Sequence, residues 1–483
     1  MESVMKKILN KYYSLSNPVK ASIWFTICNV LQKGISMITV PIFTRLLTTE
    51  QYGVYSVYQS WYSIIGVFAT LNLYYGVFNN GMVKYEKDKN AFTSSMQGLT
   101  TTVTAIFLVI YLIGIDFWNS LLGLPTLLIL VMFFDLFFTP AYSFWATRQR
   151  FEYQYRNLVF ITLIIAIGSP IIGISSVVLS TYKAEARVIS FVLVQSCIGL
   201  YFYVLNLYRG KYFFCKKYWL YALNFNLPLI PHYLSQSVLN QSDRIMINSM
   251  VGMGEAAIYS VAYSISTLMV LVTSAINSSF IPYTYKCIRD KKYTELGKSA
   301  NLLITLVGIG SILTISLGPE IIQLFAPKQY YEAIWIIPPV ALSVYFMFLY
   351  PIFGNIEFYF EANHFVMWAS IGGAIMNIFL NFIFIKHFGY IAAGYTTLLC
   401  YILFALGHYI FMRRALYQNL SGIQIYDSRY IFFFSFLLLI LMLLIVTIYP
   451  FVLIRYIAIS LILGGCFLKR RKIMSSIVMI KKQ

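Results

Sequence analysis

Long apolar runs separated by short polar segments dominate this chain of 483 residues. The runs do not alternate apolar and polar positions with a period of two, as the strands of a membrane barrel do. Many reach the roughly 20 residues that a helix needs to cross a bilayer. Because unpaired backbone groups cannot be left in lipid, unalternating runs of this length predict transmembrane helices.

The runs predict an all-α integral membrane protein with about fourteen transmembrane helices. Residues 1–217 form an N-terminal six-helix bundle with spans at 21–43, 52–77, 98–118, 121–146, 158–179 and 188–208. Residues 218–415 form a C-terminal six-helix bundle with spans at 222–250, 256–282, 299–317, 335–358, 365–386 and 390–412. Residues 416–483 add two transmembrane helices, at 430–449 and 451–467, and a basic cytoplasmic tail.

Composition agrees with this pattern, since 59% of the residues are hydrophobic and 11% are charged. A soluble domain is usually about 25% charged. The net charge of +19 does not indicate a nucleic-acid partner, because such proteins cluster their basic residues on soluble faces. Here the basic residues lie between the apolar runs.

The basic residues fall on alternate connections, as the positive-inside rule requires of cytoplasmic loops. This distribution predicts an even number of spans with both termini in the cytoplasm. The basic clusters are Lys6, Lys7, Lys11 and Lys20; Lys84, Lys87 and Lys89; Arg148, Arg150 and Arg156; Arg209, Lys211, Lys216 and Lys217; Lys286, Arg289, Lys291, Lys292 and Lys298; Arg413, Arg414 and Arg429; and Lys469, Arg470, Arg471 and Lys472. The opposite loops hold only scattered charges, such as Lys183, Arg187, Lys328 and Lys386.

A short internal repeat relates the two six-helix sets. The segment VYSVYQS at 54–60 parallels IYSVAYS at 258–264, and the same register places Gln32 on Gln236. Because each set has an even number of spans, the halves have the same orientation, as in transporters with an axis along the membrane normal. Prolines within or beside the spans predict helix kinks that help halves rock, although static bundles also contain kinks.

Polar residues at membrane depth are costly and usually face a bundle interior or a watery cavity. In the first span, Asn29, Gln32, Lys33 and Ser36 lie within about a third of the helical circumference. In the seventh span, His232, Gln236, Asn240 and Asp243 share one face, with Arg244 beside them. We expect both stripes to line one central cavity, where Lys33 and Arg244 offer positive charge to an anionic substrate.

Structural roles for the same residues stay open. The Asn, Gln and Ser side chains could join helices through hydrogen bonds. Asp243 and Arg244 could form an interfacial salt bridge, and His232 fits a hydrogen-bonded core histidine.

Asp135 is the most isolated acid in the predicted bundle, with VMFF before it and LFF after it. Burial would bring its carboxyl group into the range of a coupling proton or cation. The alternative is a structural partner for a neighbouring lysine or hydroxyl. Six scattered cysteines without a C-x-x-C pair give little support to metal or disulfide chemistry, and no cofactor is expected.

Several segments give the chain a resemblance to Wzx-type oligosaccharide flippases of the multidrug/oligosaccharidyl-lipid/polysaccharide exporter superfamily. They are PIFTRLL at 41–47 and QYGVY at 51–55, PLIP at 228–231 and DRIMI at 243–247, PEIIQLF at 319–325, and Asn381 with FGYIAAG at 388–394. Arg45, in the first segment, joins the expected cavity residues. The resemblance spans most of the chain.

The resemblance implies two six-helix bundles related by pseudo-two-fold symmetry in a MATE-like V, with two extra C-terminal helices. It also implies a non-enzymatic flippase of the bacterial cytoplasmic membrane. The implied substrate is an undecaprenyl-pyrophosphate-linked oligosaccharide repeat unit for a surface polysaccharide such as O-antigen of lipopolysaccharide or capsule. The implied partners are membrane lipids, a polysaccharide polymerase and a chain-length regulator. The single Lys33 departs from relatives with several basic residues in the first helix.

Rival functions stay open at this point. A drug exporter of the same fold would need acidic or aromatic cavity walls for cationic drugs, and basic stripes disfavour it. A membrane enzyme such as a polymerase would need paired carboxylates or an external catalytic loop, for which only residues 45–52 offer a short candidate. A channel fits the repeat and the prolines less well than alternating access does.

Overall fold

The computed structural model of the chain describes residues 16–360 and 363–468, and it leaves the side chains of 363–367 and 465–468 undescribed. The predicted basic clusters at the termini therefore lie largely outside the described residues: Lys6, Lys7, Lys11, Lys469, Arg470, Arg471 and Lys472. The chain divides into two compact units, Met1–Ser237 and Val238–Gln483. We call them the first and the second unit.

The described part of the first unit is helical. Its helices are α1 (Asn17–Leu46), α2 (Thr49–Thr70), α3 (Gly76–Lys84), α4 (Lys89–Ile113), α5 (Ile115–Leu122), α6 (Thr126–Phe151), α7 (Tyr155–Leu179), α8 (Lys183–Gly210) and α9 (Lys216–Asn226). Helix α10 (Ile230–Met250) follows and contains the division between the units.

The second unit continues with helices in its described residues. They are α11 (Met253–Ser266), α12 (Leu268–Arg289), α13 (Tyr293–Ser316), α14 (Gly318–Phe325), α15 (Ile337–Tyr359), α16 (Asn363–Phe388), α17 (Ala392–Leu420), α18 (Ser428–Thr447) and α19 (Val452–Leu468). Helix α15 is the most enclosed of the candidate spans, since 83% of the residues in its most apolar stretch are buried.

The predicted all-α, multi-pass class is confirmed. Eleven helices of the described residues are long and apolar enough to cross a membrane. Each of the fourteen predicted spans falls on one helix or on two consecutive helices. The second, seventh and fourteenth predicted spans lie on α2, α10 and α19. These helices are not among the eleven, because they are either too short or not apolar enough.

Several predicted spans cross a break between two helices, and two of these breaks have a visible cause. The second span, predicted at 52–77, stops when α2 ends at Thr70, because Leu71 and Asn72 take left-handed φ angles of 51° and 47°. The Asn226 side chain donates a hydrogen bond to the Leu71 carbonyl and holds this turn. The seventh, predicted at 222–250, breaks into a 3-10 turn at Leu227–Leu229, where Pro228 has no N–H to donate.

Close helix packing in the first unit depends on glycine. A Cβ atom on Gly199 of α8 would lie 2.6 Å from both the carbonyl carbon and the oxygen of Phe138 in α6. Those are backbone atoms, which cannot move aside like a flexible side chain. The missing side chain therefore allows the two backbones to approach, as small residues do in membrane helix bundles.

The connections after the second and fourth predicted spans meet at one end of the first unit. Arg148 Nη1 donates to Asn90 Oδ1 over 2.5 Å, and Lys89 Nζ lies 4.0 Å from Glu152 Oε1. Arg209, at the end of the sixth predicted span, lines a cavity with Asn90 and Arg148. The basic residues of three separate connections thus lie together, as the charge pattern predicts.

Candidate functional site

The polar stripe of α1 is exposed in the first unit. Asn29, Gln32, Lys33 and Ser36 are all exposed side chains. None of them forms a side-chain hydrogen bond or ion pair with a described residue. Interhelical hydrogen bonding, the structural alternative for this stripe, is therefore not observed within the unit.

The exposed surface of α1 has a second, apolar face. Its members are Ile23, Ile27, Val30, Leu31 and Ile38. At about 100° per residue, this apolar face lies nearly opposite the polar stripe. The buried positions Ala21 and Cys28 lie between the two faces, where α1 packs on α7. One exposed face of α1 therefore suits lipid and the other suits water or a polar ligand.

Arg45 does not lie with the stripe. It is exposed in the last turn of α1, where its Nη1 donates to the Pro41 carbonyl over 2.8 Å. At about 1.5 Å per residue, it lies roughly 18 Å along the helix from Lys33. At about 100° per residue, its direction also matches the apolar face rather than the polar one.

The predicted stripe of the seventh span lies on α10 and is divided between the units. His232 and Gln236 belong to the first unit, and Asn240, Asp243 and Arg244 belong to the second. His232 is half-buried, and its Nδ1 is buried without a hydrogen-bond partner among the described residues. His232 is therefore not a fully hydrogen-bonded core histidine among the described residues.

Asp243 is completely buried, with 0% of its surface exposed. Its carboxylate accepts hydrogen bonds from four neutral groups of the second unit. They are the Tyr259 hydroxyl, Thr397 Oγ1 at 2.8 Å, Asn381 Nδ2 at 2.6 Å and Asn377 Nδ2 at 3.2 Å. The residues around it supply further oxygen atoms, which together could hold a small cation or a proton.

Arg244 does not pair with Asp243. It is 9% exposed, its Nε donates to Ser260 Oγ over 3.1 Å, and its Nη1 donates to the Asn240 carbonyl over 2.7 Å. Its Cζ lies 4.4 Å from the centroid of the Tyr263 ring. The interfacial salt bridge considered for these neighbours is thus absent from the described residues, and protein groups hold the guanidinium.

Asp135, the expected coupling residue, is 1% exposed within α6. It accepts hydrogen bonds from Thr139, from Ser196 Oγ at 3.0 Å and from the hydroxyl of Tyr62. No basic side chain of the described residues forms an ion pair with it. Asp135 is therefore a buried carboxyl group solvated by hydroxyls, and a lysine partner is not observed.

One buried pair was not found from the sequence. His408 Nδ1 lies 2.9 Å from Glu357 Oε1, and both side chains are 0% exposed. Their other polar atoms, Nε2 and Oε2, have no partner among the described residues. Both residues lie in predicted spans. As ionisable groups at membrane depth, they carry the same sequence signal as Asp135.

A second overlooked residue is Arg187, which the sequence placed in a loop. It lies in α8 and is 8% exposed. Its guanidinium is 3.8 Å from the Phe43 ring centroid and 4.2 Å from that of Tyr55. Stacking on two aromatic faces stabilises this buried cation.

The described residues contain no group of three or more His, Cys, Asp or Glu side chains placed to hold a metal ion. An exposed cation in a polar stripe can hold an anion, and buried carboxyl groups can exchange a proton or a small cation.

Comparisons with known proteins identify a family and a fold. The family described as "Polysaccharide biosynthesis protein" matches residues 19–287, more than half of the chain. The Haemophilus influenzae protein named "Lsg locus putative protein 1" is 23% identical over 377 residues, which are 74% of this chain and 89% of that protein.

Solved structures show the same fold. The lipid II flippase MurJ, in an inward closed conformation, superposes with a TM-score of 0.70 at 15% identity, over 93% of this chain and 100% of that one. A multidrug resistance MATE family transporter of the MOP superfamily, in an inward-facing conformation, gives 0.64 at 12% identity, over 80% and 96%. At these identities the likeness concerns the fold alone.

Proposed function

The chain belongs to the polysaccharide biosynthesis protein family, and on that premise we propose that it is a flippase for lipid-linked oligosaccharides. The proposed cargo is an undecaprenyl-pyrophosphate-linked repeat unit, moved from the cytoplasmic to the outer leaflet of the bacterial cytoplasmic membrane. The product serves a surface polysaccharide such as O-antigen or capsule. Both termini are proposed to lie in the cytoplasm.

The observation that carries this proposal is the exposed polar stripe of α1. Lys33 lies in a membrane-length helix, yet no described residue neutralises it. A charged side chain at that depth costs a few kcal/mol on insertion scales unless it faces water or a partner. A pyrophosphate passing the stripe would supply the missing negative charge in a low dielectric.

The neighbours of Lys33 suit the sugar part of the cargo. Asn29, Gln32 and Ser36 are exposed, and their side chains form no hydrogen bond with a described residue. The two amides and the hydroxyl group can each donate and accept hydrogen bonds. The stripe therefore offers one cation for a phosphate and several neutral groups for sugar hydroxyls. His232, Gln236, Asn240 and Arg244 are proposed to join this route during transport.

Kinked helices are proposed to help alternating access, because they let the halves of a transporter rock between states. Prolines lie inside several of them, at Pro41, Pro140, Pro170, Pro282 and Pro351. A proline in a helix removes one backbone hydrogen bond and favours a kink. Pro41 lies two turns from Lys33, so a change of kink there would reorient one end of α1 relative to the stripe.

Ion coupling is proposed to use buried carboxyl groups. Asp135 is the first candidate, and Asp243 has the same character in the second unit. Each is almost fully buried and is hydrogen-bonded only by neutral groups among the described residues. Among the residues that the structure describes, neither has a basic partner that would hold it permanently ionised, so binding of a proton or cation is the natural means of charge compensation.

A drug exporter is the second candidate because a MATE transporter shares the fold. Cationic drugs need acidic or aromatic walls, whereas the exposed stripe of α1 carries a lysine and amides. The proposal of a phosphate-bearing cargo therefore fits the stripe better. A polysaccharide polymerase and a chain-length regulator are proposed as partners in the same membrane.

A gene deletion tests the proposal. Lipid-linked sugars are extracted from the deletion strain, and their exposure on each membrane face is measured with an impermeant sugar-labelling reagent. Accumulation of complete repeat units on the cytoplasmic face is expected. Accumulation of single repeat units on the outer face would indicate a polymerase instead, and unchanged lipid-linked sugars with altered drug sensitivity would indicate a drug exporter.

A further inference from the structure

A polar cavity of about 200 Å³ opens at one end of the first unit. It lies where α4 begins and where α6 and α8 end. This is the end that carries the basic connections, which the charge pattern places in the cytoplasm. None of the polar stripe residues of α1 lines it, so it is a separate site.

The cavity wall contains buried polar groups that the protein does not use. Gln149 and Trp145 are both more than nine-tenths buried. The side-chain amide of Gln149 and the indole N–H of Trp145 make no hydrogen bond with a described residue. Both groups are nevertheless accessible to solvent. Since both residues line the cavity, these groups are available to a ligand there.

The cavity wall has an excess of positive charge. Arg148 is fixed by Glu152 Oε1 at 3.0 Å from its Nε and by Asn90. Lys89 lies 4.0 Å from the same carboxylate. Arg209 is exposed and forms no ion pair with a described residue. The wall therefore holds two arginines and one carboxylate, and Lys89 lies beside that carboxylate, which favours an anionic ligand.

Size and chemistry together define the ligand. Pockets for drug-sized molecules are about 300–1,000 Å³, so this cavity holds only a small group. An arginine fork suits a phosphoryl oxygen, whereas an amide and an indole N–H suit sugar hydroxyls. We propose that the cavity is a binding site for a phosphorylated sugar.

Two molecules on the cytoplasmic side carry that chemistry. One is the head group of the lipid-linked cargo, which would be captured here before translocation, and this source rests on the proposed function. The other is a soluble sugar phosphate. In both cases Arg209 is expected to contact the phosphate and Gln149 a sugar hydroxyl.

Binding to the full-length protein, purified in detergent, tests the site. The probes are labelled glucose 1-phosphate and a short-chain polyprenyl pyrophosphoryl sugar, with inorganic phosphate and free glucose for comparison. The variant Gln149→Leu with Arg209→Ala removes the two unused groups. Arg150→Ala is the matched control, because it removes the same charge from an exposed neighbour that does not line the cavity.

At least one of the two phosphorylated sugars is expected to bind the wild-type protein. Relative to the wild type, its affinity for the double variant should fall by at least about tenfold, and its affinity for Arg150→Ala should fall by less than about twofold. Free glucose and inorganic phosphate should each bind more weakly than the combined molecule. Arg209→Ala alone, at an exposed position, keeps the test valid if the double variant does not fold. Absence of binding by both phosphorylated sugars, or equal loss in the control, would overturn the site.

The two sources are separated by competition. If the lipid-linked probe binds and glucose 1-phosphate displaces it, the head group is a ligand of the cavity. If only glucose 1-phosphate binds, the ligand is the soluble one. Reconstituted protein that binds at the cavity but flips no lipid would contradict the proposed function while leaving this site in place.

Discussion

Asn381 donates its amide N–H to the carboxylate of Asp243 over 2.6 Å, although the two residues lie 138 positions apart in the chain. Arg244, next to Asp243 in sequence, bonds to Ser260 and the Asn240 carbonyl instead. The buried acid of the second unit is thus surrounded by neutral donors, while its sequence neighbour has separate partners. The same arrangement of a buried acid and neutral donors recurs at Asp135 in the first unit.

Lys33→Ala is expected to abolish transport with normal protein abundance, because it removes the charge on the exposed face of α1. Transport is measured by the exposure of lipid-linked sugars on the outer face. Lys33→Arg keeps the charge and should retain a substantial part of the rate. Ile38→Ala on the apolar face of α1 serves as the control and should transport normally. Full transport by Lys33→Ala would remove this residue from the mechanism.

Asp135→Asn is expected to abolish the dependence of transport on the ion gradient, because the isosteric amide cannot exchange a proton or hold a cation. Initial rates of flipping are measured in vesicles with and without imposed proton and sodium gradients. Asp243→Asn is measured in parallel, since it has the same environment. Unchanged gradient dependence in both variants would contradict carboxyl-based coupling.

Glu357→Leu is expected to destabilise the second unit by about 1–3 kcal/mol, since it leaves His408 buried without its hydrogen bond. His408→Leu should have a similar effect. The double variant should lose less than the sum of the two single variants, because no polar group is then left unpaired. Thermal unfolding in detergent measures all three. Additive losses would show that the hydrogen bond contributes nothing.

Gly199→Ala is expected to destabilise the first unit by about 1–3 kcal/mol, because the new methyl group would overlap the Phe138 backbone. Gly407→Ala is the matched control. Apart from the two chain neighbours and the backbone of the same helix, no heavy atom would lie within 4 Å of a methyl group at Gly407. Alanine there should therefore be neutral or stabilise by up to about 1 kcal/mol. Equal thermal unfolding of both variants would show that the close approach of α6 and α8 is not tight.

Hydropathy was enough to predict the helices, since each predicted span lies on a helix or on two consecutive helices. The interruption at Leu71 has only a weak local signal, since Asn72 tolerates the left-handed conformation but no glycine or proline is adjacent. The turn depends on Asn226, which lies 155 positions away. The local sequence does not contain this long-range contact, so the position of the break could not be predicted from it.

The candidate site was predictable only in part. Helical periodicity placed Asn29, Gln32 and Lys33 on one face, and the structure has them exposed together. It could not find the partners of Asp243, because Asn377 and Thr397 come from α16 and α17. Periodicity within one helix says nothing about which other helices pack beside it.

Flipping by the purified protein shows whether Lys33 carries a phosphate-bearing lipid across the membrane. The chain is reconstituted into liposomes with a fluorescent polyprenyl pyrophosphoryl oligosaccharide in both leaflets, and a membrane-impermeant quencher reports the fraction in the outer leaflet over time. Rapid exchange is expected with the wild-type protein, and exchange at the rate of protein-free liposomes is expected with Lys33→Ala. Equal exchange by the two proteins, or none by the wild type, would contradict this expectation.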